Sequence, residues 1–197
     1  MMQILTLVLL GVSIVVAIRA LYRRAYGFTN RTIVDVIPFL QEVNVEHLAE
    51  LIDSAEERFL RSNLGEKEFR KAQLKRMRLL REYVNRMSHN TAVLLEWARS
   101  DRRKSWDSGE KEWEELSEHL VKACLHFQAG AFTIRLALHR WMIKSVLLPA
   151  VSVPSIAILR KFETFDLFDA YEAMRLAAEN LSAAYGDEFH QKLAQSL

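Results

Sequence analysis

Glu115 and His119 lie one helical turn apart and are followed by His126, so three side chains able to transfer protons or bind a metal share one predicted helix. Helical bundles build metal sites from such carboxylate and imidazole groups. The sequence lacks Glu-x-x-His pairs, a His-Glu-x-x-His motif, a cysteine pair, a glycine-rich phosphate loop and a Gly-x-Ser-x-Gly elbow. It therefore names no catalytic residue, no metal ligand and no cofactor. An enzyme with a carboxylate and histidine site inside a helical bundle is kept as the alternative function.

A second set of side chains could bind anions. At about 100° per residue, five basic residues fall opposite the apolar face of one predicted helix, with Arg70, Arg76 and Arg81 on the flanks. The five are Lys67, Lys71, Lys75, Arg78 and Arg86. Such a face predicts binding to anionic lipid or to an acidic protein. A solvated helix face with i,i+4 ion pairs is the other explanation. Nucleic acid is disfavoured because no aromatic side chains alternate with the basic ones to stack on bases.

The amino-terminal residues predict a membrane anchor. Residues 1–18 carry no charged side chain, and residues 20–22 extend them to the roughly 20 residues that a helix needs to cross a bilayer. The predicted anchor is residues 1–24. Its membrane-contacting residues are predicted to be Ile4, Leu7, Leu10, Ile14, Ile18, Arg19, Tyr22, Arg23 and Arg24. A cleaved signal peptide fits less well, because the chain lacks a basic start and a small-x-small site after the apolar run. A buried core helix is the remaining alternative.

Charge asymmetry predicts the orientation of this anchor. Arg19, Arg23, Arg24 and Arg31 all follow the apolar run, and basic residues are retained on the cytoplasmic side of a membrane. The single cysteine, Cys124, agrees, because a lone thiol cannot form an intrachain disulfide. We therefore predict a single-pass protein of the cell membrane with most of the chain in the cytoplasm.

The rest of the chain predicts helices. Half of all residues are hydrophobic, and only six are glycine and three proline, which favours helices over disorder or an all-β fold. Residues 25–43 would connect the anchor to one helical domain, residues 44–197. The predicted helices are 45–64 with Asn44 as N-cap, 66–98, a long helix from about 110 to near Pro149, 165–185 and 187–197, with 99–112 as a charged connection. The fold class is all-α: an N-terminal transmembrane helix followed by an antiparallel bundle of about four to six helices.

Apolar residues three and four positions apart form seams on these helices. The seams are Met77, Leu80, Val84, Met87, Thr91, Leu94 and Ala98 on one helix and Trp113, Leu116, Leu120, Ala123, Phe127, Ile134, Ala137 and Trp141 on the next, while Leu48, Leu51, Ile52, Ala55 and Phe59 share a face of the first. Such seams fit a neighbouring helix of the same chain or a second copy, so a homo-oligomer stays possible. Gly130 predicts a bend or a close helix crossing.

The segment 131–159 has two explanations. Its last part, 146–159, is uncharged and contains Pro149 and Pro154, with basic residues on both sides. A buried, proline-bent part of the core is favoured because protein groups can satisfy an irregular backbone. A membrane-inserted or interfacial segment is the alternative.

These patterns predict a binding role at a membrane. Basic residues concentrate in 61–104 and acidic residues in 107–118 and after 163, although the formal net charge is only +2. We predict a membrane-anchored cytoplasmic helical scaffold or interaction protein whose basic helix contacts anionic lipid or an acidic partner. A membrane-bound enzyme is the alternative.

Overall fold

The computed structural model describes residues 36–108, 111–147, 154–162 and 165–197. The predicted anchor, residues 1–24, and residues 25–35 of the predicted connection lie outside the described residues. Within the described ranges, no helix combines the length and the apolar character that are needed to cross a membrane.

The described residues form six α-helices. They are α1 (Val45–Leu51), α2 (Ser54–Asn63), α3 (Glu66–Ser108), α4 (Lys111–Leu147), α5 (Leu167–Ala183) and α6 (Asp187–Ser196), with 3₁₀ helices at Ile37–Phe39 and Ile156–Arg160. Two short strands, β1 (Lys161–Phe162) and β2 (Phe165–Asp166), pair antiparallel, with Lys161 opposite Asp166. The prediction of an all-α helical bundle is confirmed for this part of the chain.

The longest helices, α3 and α4, form an antiparallel hairpin of 43 and 37 residues. Two hydrogen bonds fix the register, because Ser117 Oγ donates to Asp101 Oδ2 at 3.4 Å and Gln128 Nε2 donates to the Ser88 carbonyl at 2.9 Å. Helix α5 packs along α4, and α6 packs on α5. The centre of the core is made by Met77, Leu80, Val84, Met87, Leu94, Leu120, Phe127, Ile134, Met174 and Leu181, all fully buried. The predicted seams therefore mark the faces along which the long helices meet.

The prediction of a single helix over 45–64 is wrong. Asn44 caps α1 as expected, since its Oδ1 accepts from His47 N at 2.7 Å. The chain then leaves the helix at Ile52, and Asp53 caps a new helix by accepting from Ala55 N at 3.1 Å. An aspartate favours the N-cap over the helix interior because its carboxylate satisfies a free backbone N–H group. Phe59, which was predicted on the apolar face of a single helix, is exposed on α2.

The prediction of a connection over 99–112 is also wrong for most of its length. Helix α3 continues without interruption to Ser108. Arginine and lysine are good helix formers, so the absence of apolar periodicity does not end the helix. The buried Asp101, which meets Ser117 of α4, keeps this extension inside the hairpin.

The helix predicted over 165–185 is shorter than expected. Phe165 and Asp166 belong to β2, and the Asp166 carboxylate caps α5 by accepting from Phe168 N at 3.0 Å and Asp169 N at 3.3 Å. The helix ends at Ala183, and Gly186 then takes a φ of 107°, which favours glycine. This turn reverses the chain into α6.

Residues 154–159, the described end of the segment 131–159, support the core explanation. Ile156 and Leu159 are fully buried, and the preceding residues are held by a carboxylate from α2. Glu57 accepts from Ser155 Oγ at 2.9 Å and from Ile156 N at 3.0 Å, and it is itself buried. Residues 148–153 lie outside the described residues.

Candidate functional site

The predicted basic residues lie along one exposed face of α3. Lys67, Lys71, Lys75, Arg78 and Arg86 are all exposed, and they extend over about 29 Å of helix at 1.5 Å per residue. We call these five side chains the basic face. Arg86 Nη2 pairs with Glu82 Oε1 at 2.6 Å. Among the described residues, the other four members have no ion-pair partner. The basic face therefore carries more positive charge than its surroundings neutralise.

The core on the opposite side of α3 holds this face outward. Met77, Leu80 and Val84 are fully buried against the rest of the bundle. A helix of 3.6 residues per turn then projects the basic face away from the core. Each exposed lysine and arginine can also keep its ammonium or guanidinium group in water while its methylene groups cover the helix.

Arg76, which the sequence places on the flank of the basic face, has a structural role instead. It is only 6% exposed. Its Nη2 donates to the Leu51 carbonyl at 2.6 Å and to the Asp53 carbonyl at 3.4 Å, and it pairs with Glu56 Oε2 at 3.4 Å. These acceptors lie at the end of α1 and the start of α2. Arg76 thus satisfies the backbone where the two helices separate, and the sequence gives no signal that distinguishes it from its exposed neighbours.

The candidate proton-transfer residues do not converge on a site. Glu115, His119 and His126 are all exposed on α4, and His126 lies against Phe165, with ring centroids 5.6 Å apart. In the part of the chain described by the structure, no group of three or more His, Cys, Asp or Glu side chains is placed to hold a metal ion. A hydrogen bond from Lys122 lowers the pKa of the neighbouring Glu118 carboxyl.

The buried polar groups of the hairpin are engaged in packing. Tyr185 OH donates to the Asp101 carboxylate, and the Tyr185 ring lies 4.8 Å from the Trp113 ring, centroid to centroid. Burial, and then the hydrogen bond to Asp101, raises the pKa of Tyr185. Burial also raises the pKa of Cys124 to about 12, which keeps this thiol protonated and unreactive. The contacts of Tyr185 join the turn between α5 and α6 to the end of the α3–α4 hairpin.

The structure shows one surface whose residues the sequence did not group together, although four of them lie in the segment 131–159. Five large apolar side chains on α4 remain exposed on the side opposite its buried face, and we call them the α4 stripe. They are Leu125, Phe132, Leu136, Ile143 and Leu147. Their spacing of seven, four, seven and four residues was a readable signal. It escaped notice because α4 carries apolar residues on most of its circumference, and a helix of that kind does not reveal which arc is buried.

Comparison with protein-family models, curated proteins and solved structures gives no match to this chain.

Proposed function

We propose that this protein is a membrane-anchored helical scaffold or interaction protein whose basic face binds an anionic surface, either membrane lipid or an acidic protein. The observation that supports this proposal is the exposure of Lys67, Lys71, Lys75 and Arg78 along one face of α3 without ion-pair partners among the described residues. A helix face that only served solubility would pair most of its basic side chains with acidic ones, as Arg86 pairs with Glu82, and these four side chains are not paired in this way within the described residues.

The proposed mechanism combines tethering with weak electrostatic contacts. Each basic side chain near an anionic surface contributes roughly 1 kcal/mol, so a face of this size binds only modestly when the protein is free in solution. Residues 1–24 would confine the bundle to the membrane and raise its effective concentration there. Contacts that are weak in solution then become sufficient to organise partners.

A fluorescent probe on the basic face tests the proposal. Asn85 is exposed and neutral, and Asn85→Cys can carry an environment-sensitive dye without loss of a basic residue. The native Cys124 is buried and does not compete for the label. The full chain is reconstituted with phosphatidylcholine vesicles, with or without phosphatidylserine. We expect the dye to be quenched by lipid-attached quenchers in the anionic vesicles, and the quenching to weaken as salt is added.

Charge-removal variants provide the matched comparison. The test variant replaces Lys67, Lys71, Lys75 and Arg78 by glutamine, and the control replaces Arg102, Arg103, Lys111 and Lys122, which are equally exposed. The test variant should lose about 4 kcal/mol of contact energy, roughly a thousandfold, while the control keeps its contact.

The outcomes separate the possible anionic partners. A dye that stays aqueous on anionic vesicles but responds to an acidic peptide in a salt-dependent way would assign the face to an acidic protein. A dye that responds to neither anion would leave only a solvated helix face, and the proposed function would be wrong.

A further inference from the structure

The α4 stripe is long, narrow and continuous. Phe132, Leu136 and Leu147 are 61%, 59% and 70% exposed. At about 100° per residue, the five stripe side chains fall within an arc of about 60°. The stripe runs for about 33 Å at 1.5 Å per residue. The fully buried Phe127 and Ile134 lie on the opposite side of α4. The stripe therefore faces away from the core, and no described helix covers it.

The stretch of chain that carries the stripe contains only basic charged residues. From residue 119 to residue 162 the sequence contains no aspartate and no glutamate. Arg140 and Lys144 are exposed next to the second half of the stripe, and His139 is exposed on its other edge. An exposed apolar stripe with a basic rim is typical of helices that lie in the interface of an anionic membrane.

The same charges argue against a second copy of the chain. Pairing two α4 helices along their stripes would bring Arg140 and Lys144 of both copies into one narrow interface, and no acidic residue between 119 and 162 is present to neutralise them. Like charges in an interface oppose association. Anionic headgroups, in contrast, complement this rim.

From the exposure, spacing and rim charge of the stripe, we infer that α4 is a second membrane-contact element, which lies along the surface of an anionic bilayer with the α4 stripe buried at the boundary between headgroups and acyl chains. Interfacial helices of this kind lie in the plane of the membrane and insert only their apolar face. The inference concerns a different helix and a different chemistry from the basic face, and either surface can fail its test while the other passes.

A probe within the stripe tests the inference. Ala129 is exposed on the same side of α4, between Leu125 and Phe132, so Ala129→Cys carries the dye into the stripe without loss of a large apolar side chain. Ala173, exposed on α5, carries the control dye. The full chain is reconstituted with vesicles of phosphatidylcholine and phosphatidylserine. We expect acyl-chain quenchers to quench the dye at residue 129 several-fold more than the dye at residue 173, and to quench it less in vesicles of phosphatidylcholine alone.

Two polar substitutions complete the test. Phe132→Ser combined with Leu136→Ser removes the centre of the stripe, and because both side chains are exposed we expect the helical circular dichroism to be unchanged. This variant should lose the quenching at residue 129. Leu176→Ser, at an exposed leucine of α5, should retain it.

Each alternative occupant of the stripe gives a distinct result. Emission that shifts to shorter wavelength without lipid quenching, and reverses on dilution of the protein in the membrane, would indicate a second copy and overturn the inference. A shift that persists on dilution without lipid quenching would indicate that residues 1–24 cover the stripe, and would also overturn it. Equal quenching in vesicles of phosphatidylcholine alone would overturn the preference for an anionic surface. A dye that stays fully aqueous would overturn membrane contact altogether.

Discussion

Gly130 allows Phe165 to lie directly on the surface of α4. A Cβ atom built at residue 130 would overlap Cγ, Cδ2 and Cε2 of the Phe165 ring, closer than non-bonded carbon atoms approach in proteins. We therefore expect Gly130→Ala to destabilise the protein. This outcome is the opposite of the usual effect at a helical glycine, because alanine normally stabilises a helix interior by about 1 kcal/mol relative to glycine.

The expected size follows from three contributions. Overpacking a well-packed site costs about 1–3 kcal/mol. Phe165 is nearly buried, and its ring contacts Phe127 and His126 at centroid distances of 6.2 and 5.6 Å, so moving the ring also weakens aromatic contacts worth about 1 kcal/mol. The helix-propensity gain of about 1 kcal/mol offsets part of this cost. We expect a net loss of about 2 kcal/mol in the free energy of unfolding.

A double-mutant cycle measures this effect separately from propensity. Urea unfolding of the full chain in a mild detergent, followed by circular dichroism, gives the free energies of Gly130→Ala, Phe165→Ala and the double variant. Once the ring is gone, Gly130→Ala should stabilise by about 1 kcal/mol, so the coupling energy should reach about 3 kcal/mol. If Gly130→Ala stabilises the protein equally with and without Phe165, the ring does not lie over residue 130 and the reasoning is refuted.

Arg76→Met should lower the free energy of unfolding by about 3 kcal/mol, because the buried Leu51 carbonyl and the part-buried Asp53 carbonyl lose their donor. Lys75→Met, at the exposed neighbour, should change it by less than about 0.5 kcal/mol; urea midpoints that agree for the two variants would contradict the structural role of Arg76. The buried Cys124 thiol should make the protein less stable in alkali. In the folded protein the pKa of Cys124 is raised to about 12, so above about pH 9 the unfolded chain releases a proton that the folded chain keeps. Unfolding titrations from about pH 8 to about pH 10 should show a decline of about 1 kcal/mol that Cys124→Ala lacks, and parallel profiles for the two proteins would contradict it.

The core could be predicted where a helix has one apolar side. Met77, Leu80 and Val84 recur three and four residues apart on a helix that is otherwise charged, and they are fully buried. The position of the basic face follows from the same periodicity. Local charge does not reveal the buried role of Arg76, because its acceptors belong to a different part of the chain.

The sequence was less informative where backbone capping and tertiary contacts determine the helix boundaries and the exposed faces. From the sequence, Asp53 is compatible with the exposed face of one long helix and with the N-cap of a new helix. The hydrogen bond from Arg76 to the Leu51 carbonyl favours the N-cap, and this contact is not visible in the sequence. The continuation of α3 to Ser108 depends on contacts with α4 that apolar periodicity does not record. The spacing of the α4 stripe is readable in the sequence, but its exposure is not, because the positions of α3 and α5 determine which arc of α4 they cover.

Glu57 joins two parts of the chain that are far apart in the sequence. Its two hydrogen-bond donors, Ser155 and the backbone of Ile156, lie 98 and 99 residues further along the sequence. A nascent chain that ends within α4 has neither donor, so the Glu57 carboxylate then has only its ion pair with Arg61 at 3.9 Å and burying it is costly. Local contacts form faster than contacts between distant parts of a chain. We therefore expect the α3–α4 hairpin to form before the contact between Glu57 and residues 155–156, which only the segment after α4 can complete.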